Sequence, residues 1–528
     1  MDWKNSRRFW PSSSANRATI ATFFRANRRA CSTNGTARLR RRRQDEGGGK
    51  MGSRVKREIR LNAFDMACVG HIQHGMWTHP RDQASNYTSL EHWVSLARLL
   101  ERGLFDGLFL ADILGVYDVL EGAPDPSLRN SVQIPLIDPI ALVPAMAYAT
   151  THLGFGVTCN LAYEAPFLFA RRMATLDHLT QGRIGWNIVT GYLDSAARAV
   201  GLSEQMAHDD RYDLADEYMS VVYKLWEGGW RDDAVIRDRQ HAIYTDPARV
   251  RTVHHHGKQF HMDALPLWEP SPQRTPVLYQ AGASDRGRIF AAQHAECMFV
   301  NGSTRHNVRR IVDDLRRRAG TRPLKVFVGA SVVTGRTEAE ARDRLEEYRR
   351  HASVEGALAH ASASIGVDFA RYGMDEPVDL ASSQAVRSNI EAIGSALGPG
   401  WTRRMLIDRF ILGSRQPPMV GSAEQIADQL MEWVQDGDVD GFNLSRTVMP
   451  ECLETFIDLV VPVLQERGVF KRGYTPGTYR HKLFGSGDRL PGTHPAALER
   501  WPSETVTATE SGVAATGLGK PLANLYNR

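Results

Sequence analysis

The chain has 528 residues, 42% of them hydrophobic and 24% charged, enough apolar material for two or three domains or for one enlarged barrel. Lys and Arg number 65 against 60 Asp and Glu, but residues 1–60 hold 17 of those bases and 4 of those acids, leaving 48 against 56 in the rest. An acidic body excludes a broad nucleic-acid-binding face, five scattered cysteines without a C-x-x-C pair exclude a disulfide framework, and no apolar run approaches the roughly 18 residues of a membrane span.

Residues 1–56 are rich in Arg, Ser and Asn, and Arg38–Arg43 is nearly all arginine. Such a stretch buries too little apolar surface to order itself. It reads as a disordered basic leader: an organellar transit peptide, or a translated upstream region with the true start near Met51, the second being preferred because Gly47–Gly52 leads straight into the first strand. A nucleic-acid-binding arm is a third reading. Without import, the expected location is the cytoplasm.

From Leu61 onward short apolar runs alternate with helical patterns. Strands are predicted at Leu61–Met66, Phe105–Leu110, Leu153–Cys159, Arg183–Val189, Val277–Ala281, Cys297–Val300, Leu324–Val333 and Gly441–Ser445, with amphipathic helices between them such as Ser89–Leu104, Phe167–Leu179 and Tyr212–Trp226. Eight strand-helix units predict an α/β fold, a TIM (β/α)8 barrel, with a doubly wound sheet as the fallback. Two insertions interrupt it. Residues 227–276 are Pro-rich and aperiodic and read as an inserted lobe or lid, whereas residues 338–418 are mostly helical. The body therefore spans about 57–470, and 471–528 is expected to wrap the surface or to lack order.

In such a barrel ligands bind at the carboxyl ends of the strands. Asp112 ends the second strand, Thr158 and Asn160 the third, Asn187 and Thr190 the fourth. The fifth breaks at Gly282, and Ser284 follows at the start of the helical pattern Arg288–His294. Free N–H groups at a helix start, a glycine permitting close approach and a serine hydroxyl make a place for a phosphate, to which Arg286 or Arg288 could add charge. An ordinary capped turn fits the same residues. His208 and Tyr212, four apart at a helix start, could face one ligand, and each strand-end residue has a plain capping or hydrogen-bonding reading beside the functional one. His254–His255–His256 with His261 has metal-ligand residue types, but consecutive strand residues point to opposite faces, so no metal is expected. No nucleophile elbow, Walker loop or paired-glycine dinucleotide motif occurs. A phosphate grip among amides and hydroxyls suggests that a bound organic cofactor does the chemistry.

The segments Leu61–Met66, Leu100–Asp112, Ala170–Leu179, Gly185–Thr190, His208–Tyr218 and Pro270–Arg288 resemble the bacterial luciferase-like flavin-dependent monooxygenases, in the branch of the nitrilotriacetate, dibenzothiophene-sulfone and dimethyl-sulfide enzymes. The resemblance spans about Arg60–Phe484. It implies a two-component monooxygenase using FMN as FMNH2, delivered by a separate NAD(P)H:flavin reductase, with O2 as co-substrate and a flavin C4a-(hydro)peroxide as oxidant, often cleaving a C–S or C–N bond. It further implies that Asp112 and Thr158 contact the isoalloxazine and that His208, Tyr212 and Ser284 hold the phosphate end, where Gly282 lets the backbone come close. His71, His74 and Trp77, which follow the first strand, are expected to line the substrate side, with His71 as proton donor or hydrogen-bond partner to the peroxide. A homodimer or homotetramer is the family's habit.

Two departures stand out. Relatives often carry Ser after the Trp-Asn-x-Val-Thr run where this chain has Gly191, and Arg after the tryptophan where it has Thr78. The second removes a cation from the site mouth. A small organosulfur compound or amine is therefore expected before an aminopolycarboxylate. A deazaflavin-dependent reductase on the same barrel and a non-catalytic flavin-binding protein are the rival readings.

Overall fold

The computed structural model describes residues 57–502 apart from 283, 303, 379–393, 395–396 and 413–416. The basic leader, residues 503–528 and part of the second predicted insertion lie outside the described residues.

Eight parallel strands close into a ring: β1 Arg60–Met66, β2 Gly107–Ala111, β3 Gly154–Asn160, β4 Ile184–Val189, β5 Val277–Gln280, β6 Cys297–Val300, β7 Lys325–Gly335 and β8 Gly441–Ser445. Each pairs with the next, and β8 returns to β1 with Gly441 opposite Arg60. Helices Leu90–Arg102, Val143–Tyr148, Pro166–Leu179, His208–Tyr223, Asp285–His294, Arg305–Ala319 and Ala423–Asp436 follow successive strands, and a helical run from Glu451 to Glu466 follows β8. This is the TIM barrel that the strand-helix alternation predicts.

The period of two along each strand sorts side chains between two cores. Leu61 and Ala63 of β1 and Leu108 and Leu110 of β2 pack outward under the helices. Phe64, Phe109, Tyr279, Phe299 and Phe327 fill the interior, with Phe109 and Phe299 edge to face at 4.3 Å.

Residues 471–502 close the amino-terminal end of this ring. A short helix, Tyr479–Phe484, pushes Tyr479 into the interior, where its hydroxyl meets that of Tyr279. Gly154 makes the room, since a Cβ there would lie 2.4 Å from the Tyr479 ring. Arg480 is fully buried, its guanidinium donating to Glu296 at 2.7 and 2.9 Å and to the carbonyls of Thr275 and Pro276. The anchors of this tail are a tyrosine and an arginine, which bury only when given partners.

The two insertions fall at opposite ends. Helix His208–Tyr223 runs antiparallel to the strands, so the chain after it emerges at the amino-terminal end. Residues 227–276 accordingly form a lobe there rather than a lid: Glu227 binds Arg489 and Arg500, and Arg251 stacks on Trp501. The second insertion leaves from β7, which is 11 residues long and overshoots the barrel to pair with Met419–Ser422. Its helices Glu338–His351, Val354–Ile365 and Arg403–Phe410 therefore cover the carboxyl ends.

Candidate active site

The ends of β1 to β5 place most of the predicted residues side by side. At the β5 end, Ser284 caps helix Asp285–His294, its Oγ accepting from the Gly287 N–H at 3.0 Å. The Tyr212 hydroxyl lies beside Ser284 and Gln280 and fills the space that side chains at 282 and 287 would take, a Cβ there lying 2.6 and 2.7 Å from it. His208 begins the helix that carries Tyr212, with ring centroids 5.2 Å apart. Tyr212, Gly282 and Ser284 thus lie together at a helix N-terminus and make up its cradle, with His208 beside Tyr212. Arg286 and Arg288 do not serve it with free charge: Arg286 is paired with Asp213 and Asp216, Arg288 with Asp285 and Asp314. Next to the cradle, Gly191 adopts φ +74° and hands its carbonyl to Arg211. A Cβ there would sit 2.6 Å from the Asn160 amide, which accounts physically for the glycine at this position.

Along the rim toward β1 the polar groups are buried and incompletely satisfied. Thr158 Oγ1 accepts from Asn187 Nδ2 at 3.0 Å, and Asn187 Oδ1 has no partner. Gln73 Nε2 donates to Ser331 at 2.8 Å, leaving its Oε1 unpaired; His71 Nδ1, His74 Nδ1 and Thr447 Oγ1 are likewise without partners. Buried polar atoms carry a desolvation cost unless something bonds them, so this cluster is the mark of a polar ligand's seat. Asp112, at the β2 end, has its carboxyl pushed up to about 6 by burial, with Asp138 adding to the shift and the Ile113 N–H opposing it.

His71 packs edge-on against Phe64 at 4.7 Å. Burial first, then the neighbouring Arg446 and His360, hold its imidazole well below its ordinary pKa, so it is neutral at pH 7 and able to donate from one nitrogen and accept at the other. His74 is neutral for the same leading reason, and its Nε2 meets His360 Nδ1 at 2.8 Å. Trp77 stands apart, 45% exposed on the short turn Met76–Thr78.

The roof over this rim is apolar. Ala357, Leu358, Ala361 and Ile365 of helix Val354–Ile365 pack with Tyr117, Leu120, Val132 and Leu193 from the strand-end loops. Arg446, after β8, is a buried cation beside His71. Asp65 neutralises it at 2.8 Å, and it also donates to the Cys68 and Val69 carbonyls. The strand-end rule, applied to Ser445, points to Arg446 and Thr447, which the sequence reading passed over. His360 and Ser331 carried no such signal, the first because it lies mid-helix in an insertion, the second because β7 runs on beyond it.

The donor set fits a flavin mononucleotide. The Ser284 cradle could take a phosphate, and the unpaired amide, imidazole and hydroxyl atoms along the rim could bond the edge of a planar heterocycle. Known proteins of similar sequence and fold bear on this site. The family model described as luciferase-like monooxygenase matches residues 71–440. The long-chain alkane monooxygenase of Geobacillus thermodenitrificans is 47% identical over 84% of this chain and 99% of its own, and the crystal structure of a long-chain alkane monooxygenase superposes with a TM-score of 0.78, covering 84% of this chain and all of that one, at 46% identity. The dimethyl-sulfide monooxygenase of Hyphomicrobium sulfonivorans is 45% identical over 84% of this chain and 94% of its own. A riboflavin lyase crystallised with modified FMN and riboflavin superposes with a TM-score of 0.79 at 35% identity, covering 84% of this chain and all of the lyase.

Proposed function

Because the chain belongs to the luciferase-like monooxygenase family, we propose that it is the oxygenase component of a two-component system, taking reduced FMN from a separate NAD(P)H:flavin reductase and oxygenating a small, uncharged, apolar molecule. It is a flavin-using monooxygenase. Reduced FMN with O2 supplies the oxidising chemistry, one oxygen atom going to substrate and the other to water, with the flavin's two electrons balancing the reaction. The protein's own part is grip, orientation and exclusion of water.

In this reading Tyr212, Gly282 and Ser284, with His208 at the edge, hold the phosphate, while Thr158 and Asp112 meet the ring system and Asn187, Gln73 and Thr447 offer further partners. His71, neutral and buried, donates a hydrogen bond to the reacting oxygen; an imidazole held in its neutral form has no acidic proton to transfer, so its part is that of hydrogen-bond partner and not of acid. His74 is placed on the substrate side, held by His360, and Trp77 belongs at its outer margin. The observation that carries the proposal is the run of unpartnered buried polar atoms at the strand ends, lying under an apolar roof.

A small organosulfur compound is the leading substrate class, with oxidation next to sulfur leading to C–S cleavage. An alkane is the second reading, favoured by the apolar residues that helix Val354–Ile365 packs over the strand ends beside His360 and by the 47% identity to an alkane monooxygenase. An aminopolycarboxylate is disfavoured, because Thr78 brings no charge and Arg446 is already neutralised by Asp65. The test is a coupled assay with NADH, FMN and a generic flavin reductase against sulfides, sulfones, amines and alkanes. Oxygen uptake matched by oxygenated product in one class supports the proposal. Substrate turnover without oxygen uptake would transfer the protein to the deazaflavin-type reductases.

A further inference from the structure

Two antiparallel strands of the first insertion, Val253–His256 and His261–Ala264, form a hairpin whose inner and outer faces differ sharply. Val253 and His255 point inward and are buried, His255 bonding Glu217 of helix His208–Tyr223 at 3.1 Å. Outward, every position of the paired strands is a metal-ligand residue type: His254 opposite Asp263, and His256 opposite His261. The argument that adjacent histidines diverge holds for His255, but residues two apart share a face, and the cross-strand partners join them.

The side chains converge. His254 Nδ1 lies 2.5 Å and His256 Nε2 3.0 Å from the same Asp263 oxygen, and the three ligand atoms all fall within 4.8 Å of one another. Among the described residues this is the one group of three or more ligand side chains close enough to share an ion. The ring of His261 stands edge-on to that of His256 at 6.2 Å. A tetrahedral ion with bonds of about 2.0–2.2 Å holds its ligands a little over 3 Å apart, so the two imidazoles need only draw together and the carboxylate swing back slightly, movements open to exposed side chains.

We propose that this outer hairpin face binds a borderline divalent transition cation, zinc being the reference, through His254 Nδ1, His256 Nε2 and an Asp263 oxygen, with His261 or water as the fourth ligand. Imidazole with a single carboxylate suits Zn2+, Co2+ or Ni2+ rather than Ca2+ or Mg2+, which ask for six or more oxygens or an ordered water shell. The ion would clip the two strands of the lobe together and, through His255 and Glu217, fix the lobe to the barrel helix. The proposal is independent of the flavin reading, because the hairpin packs against the outside of that helix, away from its first turn.

The test is calorimetric titration of tag-free, chelator-stripped full-length protein with ZnCl2, with CoCl2 as a spectroscopic probe. One equivalent should bind, produce visible d–d bands with cobalt and raise Tm. Asp263→Asn and the double variant His254→Gln/His256→Gln, all exposed positions, should weaken zinc at least about tenfold and abolish the Tm gain, with flavin affinity unchanged. Equal zinc affinity in the variants, or no uptake by the wild type at millimolar zinc, would overturn it, as would calcium or magnesium displacing zinc.

Discussion

Replacing Ser284 by alanine separates two jobs of one hydroxyl. As a cap, Oγ accepts the Gly287 N–H at 3.0 Å, a contribution of about 1 kcal/mol to the helix and hence to the fold. As a ligand to phosphate it donates to a charged acceptor, worth about 1.5–3 kcal/mol, which at 1.4 kcal/mol per factor of ten is roughly 10- to 100-fold in affinity. Anaerobic titration of reduced FMN, repeated with reduced riboflavin, reads the second job alone. FMN should bind the variant 10- to 100-fold more weakly, riboflavin should bind both proteins alike, and Ser284→Thr should restore most of the loss. An equal loss for riboflavin would place the effect in helix geometry, and no loss for FMN would remove Ser284 from the phosphate; either result refutes the cradle.

Asp112 holds its proton up to about pH 6, above the ordinary aspartate value, because it is buried. If it accepts a hydrogen bond from the flavin ring, FMN affinity should fall as pH drops through 6, and Asp112→Asn should bind FMN with a flat profile between pH 5 and 7; a step that persists in the variant belongs to another group. The sign for folding is opposite, since a raised carboxyl favours the fold as pH falls from about 6 toward 4. Gly154→Ala puts a methyl 2.4 Å from the Tyr479 ring and should cost about 1–3 kcal/mol of overpacking in urea unfolding, an effect that Tyr479→Leu in the same chain should relieve. Glu296→Gln takes from the buried Arg480 guanidinium the carboxylate it is paired with and should cost about 3–5 kcal/mol; an unchanged urea midpoint would mean that the carbonyls around Arg480, with the more distant Glu227 and Asp177, suffice.

The barrel was legible before any coordinates because its signals are local. Leu61–Met66 is a short, mostly apolar run, the Leu90–Arg102 helix repeats Trp93, Leu96, Ala97 and Leu100 on one face, and eight such pairs admit few closed topologies. Strand ends being where such barrels bind, Asp112, Thr158, Gly282 and Ser284 could be named from position alone, and Tyr212 from its place at a helix start. What the chain order concealed was every meeting between distant residues. Arg446 lies 381 positions from Asp65, and His360 comes to His74 from an insertion with no readable motif. The polar tail hid Tyr479 as a plug, and the three histidines hid that only the first and third share a face with Asp263. Periodicity is written by the burial of neighbours along one element and survives in the sequence. Which buried polar group answers which is settled only when elements pack, because a carboxylate or imidazole reads the same in a list of residues whether its partner is water, a cation or another side chain.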